Sequence, residues 1–580
     1  MLKKLSKSVR EYKWAAFITP VFVTLEVIME VVIPLLMANL IDDGVYMGEM
    51  NAALKIGVEL IIAAVLSLIF GCLSGITASK ASAGFAKNLR KDLYYKVQDF
   101  SFANIDKFST ASLVTRLTTD VSNVQQAFQM LTRITVRAPL MLVISVIMAI
   151  NINAELSMIL LIIVPIIAIT LFFILRYVHP LMEKVFRKYD DLNEVVEENV
   201  SGIRVVKSFV IEEKEKKKFG KVSSDIYNTF SKAEKIMAFT MPTMQFAIYL
   251  CIILISWFGA NIIVNTGMTD LTTGQLMTFI TYSIQILSSL MMISMVIMML
   301  TIARASAERI YEVLIEEPNI KDKENPVTEV KNGDIEFNNV SFSYVDDKEK
   351  ECLKDINLKI ESGQTIGIIG GTGSGKSSLV NLIPRLYDVT EGSVKVGDVD
   401  VRDYDLKTLR DQVSCVLQKN VLFSGTITEN IKWGDENASD EDVQRVCKLA
   451  QADEFIQGFP DKYNTYIEQG GTNVSGGQKQ RLCIARALLK KPKILILDDS
   501  TSAVDTKTDS LIRKAFREEI PDTTKIIIAQ RISSVEDADK IIVIDDGKIN
   551  GFGTHEELLK NNAIYKEVYD SQMKGSDTDA

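Results

Sequence analysis

The sequence predicts a chain of two parts: an α-helical transmembrane domain with six spans, followed by an α/β domain. Three observations predict this division. The first half contains six apolar runs, each as long as the roughly 20 residues that cross a bilayer core. The second half contains short β-branched runs that are followed by glycine-rich turns and helical patterns. A composition of 47% hydrophobic and 24% charged residues also suggests a membrane part joined to a soluble part.

The six apolar runs are the predicted membrane spans, and the alternative is a soluble bundle of buried helices. They lie near Trp14–Ile41, Ile56–Ala78, Leu131–Ile150, Leu156–Tyr177, Phe239–Val264 and Leu276–Leu300. The connections around residues 80–130 and 178–235 are long and rich in Lys and Arg, whereas the other connections are short and nearly free of both. By the positive-inside rule, both termini and the α/β domain are expected in the cytoplasm. We expect an integral protein of a bacterial plasma membrane, in contact with membrane lipid.

Composition also excludes some classes of protein and indicates the domain boundaries. A net charge of −9 argues against nucleic acid as a general partner. The six cysteines form no Cys-x-x-Cys pair and no ligand cluster, which indicates reduced thiols and no structural metal.

Residues 1–310 are predicted to form the transmembrane domain with cytoplasmic helical extensions, residues 311–333 a charged, proline-containing linker and residues 334–572 the α/β domain. We expect residues 573–580 to be a disordered tail.

A glycine-rich loop follows the short apolar run that begins at Ile366. The loop and the helical pattern after it comprise Gly370, Gly371, Thr372, Gly373, Ser374, Gly375, Lys376, Ser377 and Ser378. This order fits G-x-x-x-x-G-K-[ST] at every fixed position. The glycines let backbone N–H groups surround phosphate oxygens, while Lys376 would reach the β- and γ-phosphates and Ser377 would give its hydroxyl to Mg²⁺. The loop therefore predicts binding of ATP or a close relative.

A second motif places acids beside this loop. The apolar run Ile494–Leu497 ends in Asp498 and Asp499, and a buried strand that delivers an acid there predicts that Asp498 holds Mg²⁺. Three further motifs lie around it: Val474–Gln478, Ser502–Asp505 and Gln530–Ser533. With these motifs, nearly the whole chain resembles a half-size ATP-binding cassette (ABC) exporter of type I, in which one membrane domain is fused to one ATPase domain.

The resemblance implies roles for single residues. Tyr344 matches the aromatic residue that stacks on adenine, the alternative being a core aromatic of the first strand. Gln418 matches the glutamine that contacts Mg²⁺ and the membrane domain, or is an ordinary surface residue. Asp505 belongs to a loop that crosses the interface between subunits. The signature that closes over ATP bound to the other subunit matches Ser475, Gly476, Gly477 and Gln478.

Two catalytic positions depart from the family pattern. Asp498 matches the family's Walker B aspartate, and the residue after it is usually a glutamate that polarises the attacking water. Here that residue is Asp499, whose side chain is shorter by about 1.5 Å. The switch histidine is replaced by Gln530, which cannot carry an imidazolium charge. Together they predict a site that holds ATP and cleaves it poorly, with neutral variation as the alternative. Because the signature is kept, we expect a heterodimer with a second, unlike half-transporter whose competent site this chain completes.

The membrane half contains candidate substrate residues. Glu26 and Glu30 lie four residues apart inside the first span and so share a helix face. Intramembrane acids usually face a cavity or a partner, so the pair either lines a pathway that favours cationic substrates or is structural. Met295 and Met299, which are flexible and polarisable, are candidate pathway residues or ordinary apolar filler.

The leading functional hypothesis is a subunit of an ATP-driven exporter of drugs or other small amphipathic compounds. A lipid flippase with the same machinery and a non-pumping regulatory or sensor subunit remain alternatives. The resemblance further implies that ATP draws two ATPase domains together and that short helices within Ser109–Asp120 and Gly202–Phe209 transmit this closure to the membrane helices.

Overall fold

A computed structural model describes residues 1–345, 350–499 and 504–576 of the chain. Long helices form the first half of the chain. The α-helices before residue 317 are α1 (Leu2–Leu5), α2 (Lys13–Asn39), α3 (Met50–Gln98), α4 (Phe102–Lys107), α5 (Thr110–Thr115), α6 (Val121–Thr132), α7 (Ile134–Ile152), α8 (Ala154–Ser201), α9 (Ile203–Ser208), α10 (Glu212–Met237), α11 (Thr240–Thr266) and α12 (Thr273–Ile315). A 3₁₀-helix joins α1 to α2, and π-helical turns follow α2 and α5.

Six helical segments in the described part of the chain are long and apolar enough to cross a membrane, which confirms the predicted six spans. They are Leu2–Tyr46, Met50–Gln98, Thr110–Ile152, Ala154–Ser201, Glu212–Thr266 and Thr273–Ile315. Each segment is longer than its apolar run, because helical periodicity continues into the polar connections. The 48 residues of α8, for example, extend well past the expected end of the fourth span at Tyr177.

The chain divides into two units. The membrane unit comprises residues 1–98 and 109–316, and the sheet unit comprises residues 99–108 and the chain from residue 317 onward. The short helix α4 therefore belongs to the sheet unit, in which Tyr387 donates a hydrogen bond of 2.6 Å to Asp106. The expected segment Ser109–Asp120 contains the short helix α5, which belongs to the membrane unit. The other expected short helix, α9, belongs to the membrane unit.

In the membrane unit, the first and last long helices are joined by buried polar contacts as well as by apolar packing. The Tyr282 hydroxyl of α12 donates a hydrogen bond of 2.7 Å to the carbonyl oxygen of Val31 in α2, and Thr278 donates one of 2.6 Å to Pro34. At the start of α12, the Asp42 carboxylate accepts a hydrogen bond of 2.9 Å from the backbone N–H of Gly274. An acid at this end also suits the helix dipole.

The sheet unit alternates strands with helices. Its strands are β1 (Ile335–Phe342), β2 (Leu353–Ile360), β3 (Thr365–Gly370), β4 (Glu391–Val396), β5 (Val399–Asp400), β6 (Val413–Val416), β7 (Gly425–Thr426), β8 (Tyr466–Ile467), β9 (Ile494–Asp498), β10 (Thr524–Ile528), β11 (Lys540–Asp545) and β12 (Lys548–Gly553). Its remaining helices are α13 (Lys376–Asn381), α14 (Leu406–Gln412), α15 (Ile427–Lys432), α16 (Asp440–Leu449), α17 (Asp453–Gln457), α18 (Gly476–Leu489), α19 (Thr506–Glu519), α20 (His555–Asn561) and α21 (Ala563–Ser576).

The central sheet has six strands in the order β12-β11-β3-β10-β9-β6, and all neighbours except β11 and β12 are parallel. Parallel strands with both faces covered are apolar along their whole length, as in Ile494–Leu497 and Ile526–Ile528, all of which are buried. A separate four-stranded antiparallel sheet has the order β2-β1-β4-β5. The α/β class predicted for the second half is therefore confirmed.

The element boundaries differ from the expected ones by a few residues. The helix α12 runs to Ile315, beyond the expected domain end at residue 310, because no helix-breaking residue intervenes before Pro318. The first strand begins at Ile335, next to the expected start of the α/β domain at residue 334. The helix α21 continues to Ser576, so residues 573–576 of the expected disordered tail are helical, and residues 577–580 lie outside the described part of the chain.

Gly274 packs closely against the end of α2, so a substitution there tests the described contact between α2 and α12. A Cβ atom at Gly274 would lie 2.4 Å from the carbonyl oxygen of Ala38, so Gly274→Ala forces a backbone shift. Overpacking of this kind costs about 1–3 kcal/mol. We expect a lower thermal unfolding midpoint of the purified protein in detergent, by several degrees. The matched control is Gly57→Ala in α3, where no described atom lies within 4 Å of the added methyl group; equal midpoints for the two variants would contradict the described packing.

Candidate functional site

The glycine-rich loop connects β3 to α13 at one edge of the central sheet. Its backbone is left-handed at two glycines, with φ of 81° at Gly373 and 100° at Gly375. A Cβ atom at Gly375 would also lie 2.7 Å from the carbonyl oxygen of Cys352, so a side chain has neither the conformation nor the space there. The sequence needs glycine at these positions because the loop turns sharply where the strand ends.

The loop has the features expected of a phosphate cradle. A Cβ atom at Gly371 or Gly373 would meet no described atom within 4 Å, so the loop backbone borders open space. The Ser374 hydroxyl is buried and has no hydrogen-bond partner among the described residues. The Lys376 amine donates to the carbonyl oxygens of Gly370 (2.8 Å) and Gly371 (2.7 Å), and burial lowers its pKa. A triphosphate would supply an acceptor for the Ser374 hydroxyl and further acceptors for Lys376.

Two oxygen groups suited to Mg²⁺ meet next to the loop. The Ser377 hydroxyl donates a hydrogen bond of 3.0 Å to Asp498, the last residue of β9. Asp498 is buried, and its desolvation raises the pKa of the carboxyl group, although Ser377 opposes this. Burial of a carboxylate is costly even with Lys376 nearby, and hard oxygen ligands are those that Mg²⁺ prefers. The pair therefore fits the metal that the sequence predicts.

The two unusual catalytic positions contact each other. The Gln530 side-chain amide donates a hydrogen bond of 2.8 Å to the Asp499 carboxylate. Asp499 has a φ of 48°, and its N–H donates to the carbonyl oxygen of Ile528 at 3.1 Å, so its backbone is held beside β10. Burial raises the pKa of Asp499, while hydrogen bonds from Gln530 and Gln418 oppose this. The exposed Gln418, which follows β6, thus reaches the same carboxylate.

Gln572 in α21 is a residue that the sequence reasoning missed. Its side-chain amide donates a hydrogen bond of 2.9 Å to the carbonyl oxygen of Gln530 and accepts one of 2.9 Å from the N–H of Ile532. The loop that carries Gln530 is therefore held by the C-terminal helix on both sides of Arg531. A glutamine within a polar helix offers no sequence signal for this contact, because it depends on tertiary packing.

Tyr344 lies just after β1 and is half exposed, at 51% of its surface. Its hydroxyl shares a hydrogen bond of 3.0 Å with Ser378, at the start of α13. Its ring meets those of Phe342 and Tyr387 edge-on, at centroid distances of 4.8 Å and 5.1 Å. The ring is therefore held in place by these contacts and remains partly exposed.

The signature residues begin a helix. The Ser475 hydroxyl caps α18 by accepting a hydrogen bond from the N–H of Gln478. In turn, the Gln478 side-chain oxygen accepts one of 2.9 Å from the N–H of Ser475. Both Ser475 and Gly476 are exposed, and Gly477 lies in the first turn. Asp505 caps α19 in the same way, through the N–H of Thr508 at 2.9 Å. The motif residues Ser502 and Ala503, like Ser500 and Thr501, lie outside the described residues.

In the membrane unit, Glu26 and Glu30 contact Arg137 of α7. Arg137 forms an ion pair with Glu26 and donates to both oxygens of Glu30, at 2.7 Å and 2.9 Å. The Ser74 hydroxyl donates to the other Glu26 oxygen at 3.0 Å. Arg133 approaches Glu26 at 3.9 Å. The two acids therefore have basic and polar partners on neighbouring helices.

Arg133 and Arg137 were also missed. They lie four residues apart at the start of an otherwise apolar span, the same spacing as Glu26 and Glu30, and this match was the available signal. Together with Met295 of α12 they line a cavity of about 510 Å³ in the membrane unit. Met299 is not among the cavity-lining residues.

Comparison with known proteins agrees with both units. Residues 16–290 match the ABC transporter transmembrane region, and residues 353–502 match the ABC transporter domain. An uncharacterised ABC transporter ATP-binding protein of Bacillus subtilis, YfiB, is 37% identical over 572 residues, with 99% of each chain covered. A Mycobacterium tuberculosis relative of the same description, Rv1273c, is 34% identical over 579 residues, covering 99% of this chain and 98% of its own.

A solved structure shares the fold. A bacterial Atm1-family ABC exporter with ATP bound superposes with a TM-score of 0.81 at 24% identity, covering 97% of this chain and 98% of that one. The match spans the transmembrane and nucleotide-binding parts together. The chain therefore belongs to the ABC transporter family, as a membrane-integral half-transporter that carries one transmembrane region and one ATP-binding domain on an exporter-type fold.

Proposed function

We propose that this chain is a subunit of an ATP-driven exporter of small amphipathic compounds, that its own site binds ATP and hydrolyses it poorly, and that it completes the competent site of an unlike partner half-transporter. One observation carries the proposal: the hydrogen bond of 2.8 Å between Gln530 and Asp499. In a competent site these two positions act on the attacking water and the γ-phosphate. Here the Gln530 amide and the Asp499 carboxylate form a hydrogen bond with each other.

Binding of ATP requires only groups that the site possesses. Backbone N–H groups of the loop, the Ser374 hydroxyl and Lys376 would hold the phosphates, and the exposed face of Tyr344 would stack on adenine. Mg²⁺, held by Ser377, Asp498 and Gln418, would neutralise charge on the phosphates. The raised pKa of Asp498 is consistent with a site built for a cation, because a metal would stabilise its ionised form.

Hydrolysis requires a base or orienting group at a defined distance from the water. Aspartate is shorter than glutamate by about 1.5 Å, and a misplacement of about 1 Å can reduce the rate roughly 100-fold. Glutamine at position 530 cannot become a cation. No histidine in the described residues takes over the role of the switch histidine. His555 shares a hydrogen bond of 2.8 Å with the Tyr565 hydroxyl, and His179 lies within α8. Tight binding with slow turnover follows.

The retained Ser475–Gln478 signature, preceded by Val474 in place of the usual leucine, is the reason for proposing an unlike partner. Ser475 and Gly476 are exposed at the start of α18, so they are free to contact nucleotide held by another subunit. A partner that keeps the glutamate and the histidine would then hold a competent site completed by this chain. ATP at both sites would draw the ATPase domains together, and hydrolysis at the competent site would reset the membrane helices. The Lys- and Arg-rich connections support cytoplasmic termini in a bacterial plasma membrane.

Restoring the two family residues should restore turnover. The purified double variant Asp499→Glu, Gln530→His should hydrolyse ATP at least about tenfold faster than the unmodified chain, because the longer acid reaches the water and the imidazole can carry charge. Steady-state phosphate release measures this. The matched control, Asp440→Glu with Gln457→His, places the same substitutions at exposed positions and should leave the rate unchanged. Equal rates for the two double variants would contradict the proposal.

The metal assignment makes a separate prediction. Asp498→Asn should remove most of the gain in ATP affinity that Mg²⁺ provides, so the affinity measured in Mg²⁺ should fall about tenfold. The reason is that a hydrogen bond to a charged group is worth about 1.5–3 kcal/mol. Affinity is compared in Mg²⁺ and in a chelator by equilibrium binding. Asp440→Asn, at an exposed position of α16, serves as the control and should keep the full gain. An undiminished Mg²⁺ effect in Asp498→Asn would refute the assignment.

A further inference from the structure

Four charged side chains meet inside the membrane unit, and their pairing is unequal. Arg137 contacts both glutamates, and Ser74 occupies the remaining Glu26 oxygen. All four carboxylate oxygens are therefore engaged. Arg133 has only an ion pair of 3.9 Å with Glu26, and within the described residues its guanidinium forms no hydrogen bond of ordinary length. Its side chain is the most exposed of the four, at 34%. Of the four charged groups, the Arg133 guanidinium is therefore the one with hydrogen-bond donors still available, and it is a cation.

The Arg133 guanidinium lines a cavity in the membrane unit. Arg133 and Arg137 line the cavity of about 510 Å³, together with amide groups of α6 and methionines of α12. No carboxylate is among its lining side chains in the described part of the chain. The Arg133 guanidinium also lies beside α3 at Gly75, where a Cβ atom would come within 3.7 Å of one of its nitrogens. The cavity is thus lined by cationic and amide side chains on one part and by polarisable methionine side chains on another.

We propose that this cavity binds a small amphipathic anion, whose carboxylate or sulfonate contacts Arg133 while its apolar body packs against Met292 and Met295. The inference rests on the proposed exporter function and names the substrate class for it. A guanidinium presents paired donors that match a carboxylate, and a volume of this size accepts a drug-sized molecule. Methionine adapts to varied apolar shapes.

The inference replaces the cationic preference that Glu26 and Glu30 alone suggested. A cation entering the cavity would have to displace Arg137 from both acids, which exposes buried charges without partners. An anion needs no such displacement, because Arg133 is held by a single long contact. Ionisable residues inside a span commonly mark a substrate pathway, and here the available group is basic.

A matched pair of probes tests the charge preference. The full chain, in nanodiscs of zwitterionic phosphatidylcholine and without nucleotide, is titrated with dansyl-labelled undecanoate and with the same molecule bearing trimethylammonium in place of the carboxylate. Empty nanodiscs give the background for each. We expect the anion to bind at least about tenfold more tightly than the cation. Equal affinities, or tighter binding of the cation, would overturn the proposal.

Single substitutions locate the site. Arg133→Gln should weaken binding of the undecanoate about tenfold and leave binding of the cation unchanged, whereas Arg133→Lys should restore part of the loss. The control is Arg176→Gln, the same change at an exposed arginine of α8 outside the cavity. Arg137 is left intact because it holds both glutamates. Unchanged affinity in Arg133→Gln would refute the site, as would equal loss in Arg176→Gln.

A lipid competitor separates a small anion from a headgroup. If the undecanoate stays bound when phosphatidylglycerol replaces part of the phosphatidylcholine, the cavity selects the soluble anion, as proposed; displacement by the lipid would overturn that choice. Because these titrations use no ATP, their failure would leave the ATPase result for Asp499→Glu, Gln530→His unaffected. Conversely, an unchanged ATPase rate in that double variant would leave the binding result intact.

Discussion

Three adjacent parallel strands, β9, β10 and β3, end at one edge of the central sheet, and the nucleotide site depends on this arrangement. Ile528 in β10 is in register with Asp498 on one side and with Ile368 on the other. The strand ends therefore bring together the loop after β3, the two acids after β9 and Gln530 after β10. Because parallel strands present their carboxyl ends together, residues far apart in sequence become neighbours without any dedicated scaffold.

That arrangement makes the site sensitive to single side chains. The backbone at Asp499 is held by its hydrogen bond to Ile528, so a shorter acid cannot be moved forward to compensate for its missing methylene group. Gln530 is held in turn by Gln572 from the C-terminal helix. The strand ends thus hold Asp499 and Gln530 in contact with each other, through a hydrogen bond of 2.8 Å. Nucleotide binding persists in this account because it depends on the loop, Ser377 and Asp498.

Much of this arrangement could be predicted from the sequence because it is encoded locally. Apolar runs of bilayer length predict the six spans, and the glycine spacing predicts the loop between β3 and α13. The partners of Glu26 and Glu30 could not be predicted in the same way, since Arg137 lies more than 100 residues away and only helix packing joins them. The contact of Gln572 with the Gln530 loop is likewise tertiary. The helix α12 ends at Ile315, close to Pro318, which cannot continue a helix, whereas the expected domain boundary at residue 310 has no such local signal.

The fate of bound nucleotide tests the central claim most directly. The purified chain is loaded with excess Mg²⁺ and ATP labelled at the α-phosphate, passed through a desalting column and sampled over several minutes, and the protein-bound nucleotide is resolved by chromatography. A site that turns over at about 10 per second would have converted its ATP many times in that interval. The account predicts that the label remains bound as ATP. Recovery of the label mainly as ADP from the first sample onward would contradict it.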